Sequence, residues 1–151
     1  MAYRIEKLEP IHFEKCSNIW NMEKQADLAK RFYQELHDGN RITYVFHAEE
    51  EYIGEISLVF DMGDPDYTVQ GQRIYVSRLI VKPEYRRRKI GRTLVDFAIQ
   101  EAVKMGCSEL SIGVDLDNYA ALKLYFEAGF SKLLFVGEDE GGRYVKLLKK
   151  L

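Results

Sequence analysis

Five cations fall within seven residues, at Arg86, Arg87, Arg88, Lys89 and Arg92. They follow Tyr75 to Lys82, an apolar stretch that reads as a strand. Pro83 ends that strand, because proline has no N–H to give to a sheet ladder. They lead into Gly91 to Met105, where Leu94, Val95, Ala98, Ile99, Ala102 and Val103 recur at the spacing of one helical face. A helix start exposes unpaired N–H groups and the positive end of the dipole. Such a start, dense in cations, suits a phosphate. Gly91 lies where a backbone must approach a ligand closely. A solvated turn or a nucleic-acid patch uses the same residue types. Here the run sits at one helix start rather than along a face, which favours phosphate.

A second dense segment runs from Asp117 to Phe130. Asn118, Ala121 and Tyr125 stand at i, i+3 and i+7 of a helical stretch and share one face. Small Ala121 between two polar groups lets a ligand come near. The alternative makes Tyr125 a core tyrosine and Asn118 a helix cap.

The elements that must hold these residues follow from pattern. Tyr3 to Leu8 reads as a strand ended by Pro10. Helices follow over Ile11 to Trp20 and Met22 to His37, stopped by the turn Asp38-Gly39-Asn40. Ile42 to Ala48 and Tyr52 to Phe60 form an antiparallel hairpin across Glu49-Glu50-Glu51. Asp61 to Gln72 is a polar loop, expected to be mobile. In the next strand Ile74 and Val76 share one side, while Leu79 and Val81 have the other parity. A β-bulge near Ser77-Arg78 would produce that slip; the alternative is that Ile80 completes a plain buried run with no bulge. Glu109 to Val114 is a strand after Gly106, and strand–helix–strand implies a right-handed parallel crossover. Asp117 or Asn118 caps the helix Tyr119 to Ala128. Phe130 to Val136 and Tyr144 to Leu148 close the chain as an antiparallel pair around Glu138 to Gly142.

Composition bounds the function. The 151 residues suit one domain over 1–151, with 46% apolar and 30% charged residues. A formal net charge of −2 makes the basic run a local feature and argues against a nucleic-acid partner. Cys16 and Cys107 lack neighbours at metal-ligand spacing, so no metal is expected. No apolar run approaches the roughly 20 residues that span a bilayer, and the polar N-terminus does not read as a secretory signal. A reducing, cytoplasmic setting without a membrane partner is the expectation.

The two segments together resemble the GCN5-related N-acetyltransferase (GNAT) family over roughly Tyr75 to Phe130, and by element order over most of the chain. The family's loop, Arg/Gln-x-x-Gly-x-Gly/Ala, is matched by Arg86 and Gly91, with Lys89 where the first glycine is usual. The later pattern is matched by Asn118, Ala121, Leu124-Tyr125 and Gly129-Phe130. The resemblance implies an α/β (α+β) fold: a mixed, mostly antiparallel twisted sheet with a central parallel pair splayed at a β-bulge, flanked by about four helices. It implies acetyl-CoA as acetyl donor and an amine-bearing acceptor, small molecule or protein. Leu79, Ile80 and Val81 would pair with the pantetheine arm. The N–H groups of Arg88, Lys89, Ile90, Gly91, Arg92 and Thr93 would hold the pyrophosphate. Arg86 and Arg87, with Lys123, would reach the other phosphates. Asn118 would bind pantetheine, and Tyr125 would protonate the leaving thiolate.

The glutamate that some relatives carry on the bulged strand is replaced by Tyr75. No base is assigned on this pattern; water relayed from Tyr75 or from a carboxylate of the Asp61–Asp66 loop is one candidate. For the acceptor, Asp61, Asp64, Asp66, Glu138, Asp139 and Glu140 would attract a cationic amine, unless they are ordinary solvated acids. Trp20, Phe32, Tyr33 and Tyr67 line a pocket or belong to the core. A rival function is a non-catalytic acyl-CoA sensor. By resemblance alone, the C-terminal strands would also support a homodimer.

Overall fold

A computed structural model describes residues 1–151. The strands are β1 (Tyr3–Lys7), β2 (Arg41–Ala48), β3 (Glu51–Val59), β4 (Arg73–Val81), β5 (Glu109–Asp115), β6 (Lys132–Asp139) and β7 (Gly142–Lys150). The α-helices are α1 (Ala26–Asp38), α2 (Ile90–Lys104) and α3 (Tyr119–Glu127), with 3₁₀ helices at Pro10–Asn18 and Pro83–Tyr85. The sheet is mixed, and β4–β5 is its parallel pair. The chain divides into two compact units, Met1–Val59 with Ser77–Ala98 and Phe60–Val76 with Ile99–Leu151, so β4 and α2 each contribute to both.

In the first unit the order is β1-β2-β3-β4. The β2–β3 hairpin runs from Arg41↔Val59 to Ala48↔Glu51, with a register shift after Phe46. Its turn is tighter than expected, because Glu49 and Glu50 both take positive φ, 53° and 64°. That is the handedness of a type I′ connection. Gly54 lets β3 lie close to its neighbours: a Cβ there would stand 3.2 Å from Leu94 and 3.3 Å from the Ile80 carbonyl.

The two helices expected over residues 11–37 are shorter and different in kind. The first is a 3₁₀ helix entered at Pro10, and α1 begins only at Ala26. The Asn21 side chain accepts the Lys24 N–H at 3.0 Å, a local bond that competes with helical pairing. Gly39, at φ 83°, ends α1 as the turn signal implied. Leu8, Cys16, Ile19, Trp20, Phe32, Leu36, Val45 and Tyr52 form a core there. Trp20 and Phe32 are therefore core, while Tyr33 is exposed.

Buried polar groups thread this core. Trp20 Nε1–H donates to Glu55 at 2.8 Å. Arg41 donates to Glu35 and Ser77 and lies 3.8 Å over the Phe32 ring. Arg78 lies 4.6 Å over Trp20. Burial pushes the Glu55 carboxyl up to about 7, against the opposing pull of Arg78, the Trp20 bond and Arg41.

Helix α2 buries Leu94, Val95, Ala98 and Ala102 as expected, but Val103 is 54% exposed. It lies two and a half turns beyond Leu94 and so on the opposite side.

In the second unit the order is β4-β5-β7-β6. The parallel register covers Arg73↔Glu109 to Tyr75↔Ser111. Three residues later Arg78 has φ 60°, a left-handed residue inside a strand, where the parity slip placed a bulge. Strand β6 starts two residues later than expected, but both last strands reach further toward their turn, and the loop shrinks to Glu140-Gly141, where Asp139 accepts the Gly141 N–H at 2.9 Å. The 61–72 loop, expected to be mobile, is tied down. Arg73 donates to the Asp66 carbonyl at 2.9 Å, Thr68 accepts the Met62 N–H at 3.0 Å, and Ser111 donates to the Tyr67 carbonyl. Gly113 admits the Tyr67 hydroxyl into the space that a Cβ would take. No helix is long and apolar enough to cross a membrane.

Candidate active site

The first unit carries the strand and loop expected to bind a phosphate-bearing ligand. Leu79, Ile80 and Val81 are half-buried at the end of β4, beyond Arg78. Lys82 N–H pairs with Ile53 O at 2.8 Å, and Pro83 opens the short 3₁₀ helix. The cations then divide by partner. Arg86 Nε donates to Val81 O at 3.4 Å, Arg88 lies 5.1 Å over the Tyr85 ring, and Arg92 pairs with Asp96 at 3.0 Å. Arg87 and Lys89 are exposed and remain available to an anion. Both have positive φ, 65° and 62°.

Lys89 thus occupies the backbone conformation that a glycine at this position would take without strain. Its carbonyl accepts both the N–H and the hydroxyl of Thr93, at 3.0 and 2.9 Å. Helix α2 starts at Ile90, one residue earlier than expected. The Ile90 side chain is buried, so only its backbone can serve a ligand. Gly91 lies inside the first turn, whose N–H groups have no intrahelical acceptor.

In the second unit Asn118, Ala121 and Tyr125 line one cavity of about 460 Å³, as their shared helix face required. Asn118 is indeed the cap of α3: its Oδ1 accepts the Ala121 N–H at 3.2 Å, which leaves its NH₂ to donate. Tyr125 is 7% exposed, so the core and cavity readings of it both hold. Burial, with Tyr75 nearby, pushes its hydroxyl up to about 12. Tyr75 and Tyr67 also line the cavity, their ring centres 4.5 Å apart. Burial pushes the Tyr67 hydroxyl up too, with Tyr75 and Tyr144 adding to it.

Three carboxylates face this cavity: Asp64, Asp115 and Asp139. Asp64 is not free to attract an amine or to relay a proton, because Lys146 holds it at 2.8 Å and Asp66 at 3.1 Å. The Lys146 bond, helped by the Asp66 N–H, keeps the Asp64 carboxyl below its usual range. Asp139 closes its own turn. Asp115, exposed at the end of β5, uses only its backbone carbonyl locally, to accept the Asn118 N–H.

Sequence reasoning singled out neither Asp115 nor Lys146. The available signal for Lys146 was a lysine inside the apolar run Tyr144 to Leu148. Asp115 could have been found as the carboxylate that follows the apolar strand Glu109 to Val114, three residues before the Asn118 cap.

Residues 5–130 match the model of the Acetyltransferase (GNAT) family. The chain is 33% identical over 95 residues to N-alpha-acetyltransferase 30 of Xenopus laevis, a match covering 63% of this chain and 33% of that protein. The chain therefore spans about a third of that relative's length. The fold is shared with the ribosomal-protein-S18-alanine N-acetyltransferase of Escherichia coli, at TM-score 0.78 and 18% identity over 99% of this chain and 94% of that one. It is also shared with the PaiA N-acetyltransferase of Thermoplasma acidophilum in complex with coenzyme A, at TM-score 0.69 and 21% identity over the whole of both chains.

Proposed function

Because this chain belongs to the acetyltransferase (GNAT) family, we propose that it is an N-acetyltransferase moving an acetyl group from acetyl-CoA to a primary amine by direct attack. The observation that carries the reading is the cavity face of α3, where a capping amide donor, a small residue and a neutral phenol stand in register.

The residues divide the work. In the first unit, the Leu79–Val81 backbone offers strand-like pairing to the pantetheine amides. The N–H groups from Arg88 to Arg92 take the pyrophosphate, that of Thr93 being held by the Lys89 carbonyl, and Arg87 and Lys89 supply charge to the phosphates, with Arg86 beside them. In the second unit, the Asn118 NH₂ donates to pantetheine and the Tyr125 hydroxyl to the departing sulfur. The amine nitrogen attacks the thioester carbonyl, the C–S bond breaks, and the thiolate leaves as Tyr125 donates to it. The backbone N–H near Leu79 steadies the charge that builds on the carbonyl oxygen. The ammonium proton leaves beforehand, through water, to the Asp115 carboxylate or past the Tyr75 hydroxyl to bulk water, and the second proton lost by the nitrogen after attack restores the Tyr125 phenol.

Thiol release from acetyl-CoA, measured against single amines and short peptides, tests this. Release above the amine-free background supports it. A protein that binds acetyl-CoA but releases no thiol with any amine is a sensor of acyl-CoA.

A further inference from the structure

The cavity beside Tyr125 already contains an ammonium group, and it belongs to the chain itself. Lys146 Nζ lies 2.8 Å from Asp64 and 3.1 Å from Asp66. It also stands 4.8 Å from the Tyr67 ring centre and 4.7 Å from that of Phe135. Two carboxylates and two ring faces are what a partly desolvated ammonium needs. The Lys146 side chain is only 10% exposed, and its neighbours Val145 and Leu147 are core, so it is not a surface lysine free to swing away. Burial alone would lower its pKa, but Asp64 and Asp66 outweigh burial and raise it. Lys146 therefore remains charged and is itself a poor nucleophile.

We propose that Lys146 determines acceptor specificity: it fills the cavity's cation site and so excludes amines with a second positive charge, admitting acceptors whose only charge is the reacting amine. This rests on the acetyltransferase reading. Asp64 and Asp66 keep one negative charge between them after pairing, but they are 34% and 41% exposed, so water and salt screen it. The two ring faces are already taken. Asp115 and Asp139 also face the cavity but are exposed. They draw in the reacting ammonium without offering a dry site for another. Polyamines and aminoglycosides are poor acceptors on this account, and a peptide N-terminus with an uncharged first side chain is a good one.

The test compares the wild type with Lys146→Met, which keeps the apolar stem and removes the charge. Pentylamine and cadaverine serve as acceptors differing by one ammonium group, and spermidine as a binding probe by calorimetry. Wild type should favour pentylamine in kcat/KM and bind no spermidine. Lys146→Met should shift the cadaverine-to-pentylamine ratio by about tenfold or more and bind spermidine. Adding Asp64→Asn and Asp66→Asn should abolish both gains. A folded Lys146→Met with an unchanged ratio and no spermidine binding overturns the proposal. So does a wild type that prefers cadaverine, which needs no variant to fold. If neither protein acetylates any amine, the acetyltransferase reading fails, while the spermidine titration still decides whether Lys146 fills the cation site.

Discussion

In the proposed reaction the thiolate leaving acetyl-CoA needs a donor, and Tyr125 is a phenol kept neutral by burial, its pKa pushed up to about 12. Tyr125→Phe should lower kcat by about 10²-fold while the calorimetric affinity for acetyl-CoA stays within about twofold. Because the folded pKa is raised, the hydroxyl stays protonated through the alkaline range. An alkaline fall in kcat centred well below that value would then belong to another group. Asp115 answers to a different signature. If it takes the ammonium proton through water, Asp115→Asn should reduce kcat/KM by about 10²-fold near neutral pH. The deficit should shrink as pH approaches the pKa of the amine, since more substrate then arrives already neutral. A deficit that stays constant into the alkaline range would make Asp115 structural and leave deprotonation to water beside the Tyr75 hydroxyl.

At the scale of elements, the loop before α2 sets a side chain against a conformation. Lys89, at φ 62°, takes a left-handed backbone costing a non-glycine residue about 1–2 kcal/mol, offset by the greater entropy a glycine would lose, about 0.5–1 kcal/mol. Lys89→Gly should therefore leave the protein as stable or up to about 1.5 kcal/mol more stable in urea melts. It should also weaken coenzyme A binding several-fold and flatten its salt dependence, because a free cation beside the phosphates is gone. Tighter coenzyme A binding in the variant would mean that Lys89 crowds the phosphates. This loop was legible in sequence because its neighbours in space are its neighbours in chain, and so was the α3 face, whose three residues are fixed by helical period alone. What sequence missed is held together at a distance. Lys146 meets Asp64 across 82 positions, and only tertiary pairing turns the loop acids from bait for a cation into its counterions. The shorter α1 was missed for a smaller reason: the Asn21 side chain wins locally over apolar periodicity.

Across the whole molecule, stability should carry the mark of one buried acid. An unfolded glutamate titrates near about 4.3, whereas burial raises Glu55 to about 7. Between those values the folded state holds a proton that the unfolded chain has released, so stability falls as pH rises through that window and levels off above it. The full difference is on the order of 3 kcal/mol. Glu6, Asp64 and Glu109 act in the opposite sense: their folded pKa values are lowered, so they add stability as pH rises and lose it in acid. The bare pH profile therefore mixes both signs, and Glu55→Gln separates them. The amide oxygen of the substituted side chain can still accept the Trp20 N–H, but the group cannot ionise. From about pH 5 to about pH 8 the variant should gain on the wild type by on the order of 1–3 kcal/mol in urea denaturation. The physical cause is burial, which Arg78 does not relieve. Its Nε and Nη2 are buried without a hydrogen-bond partner, so it attracts Glu55 through space without bonding it, and that attraction does not offset the desolvation. A difference between the two proteins that stays flat with pH would mean that Glu55 is ionised throughout and bonded to Arg78 in solution.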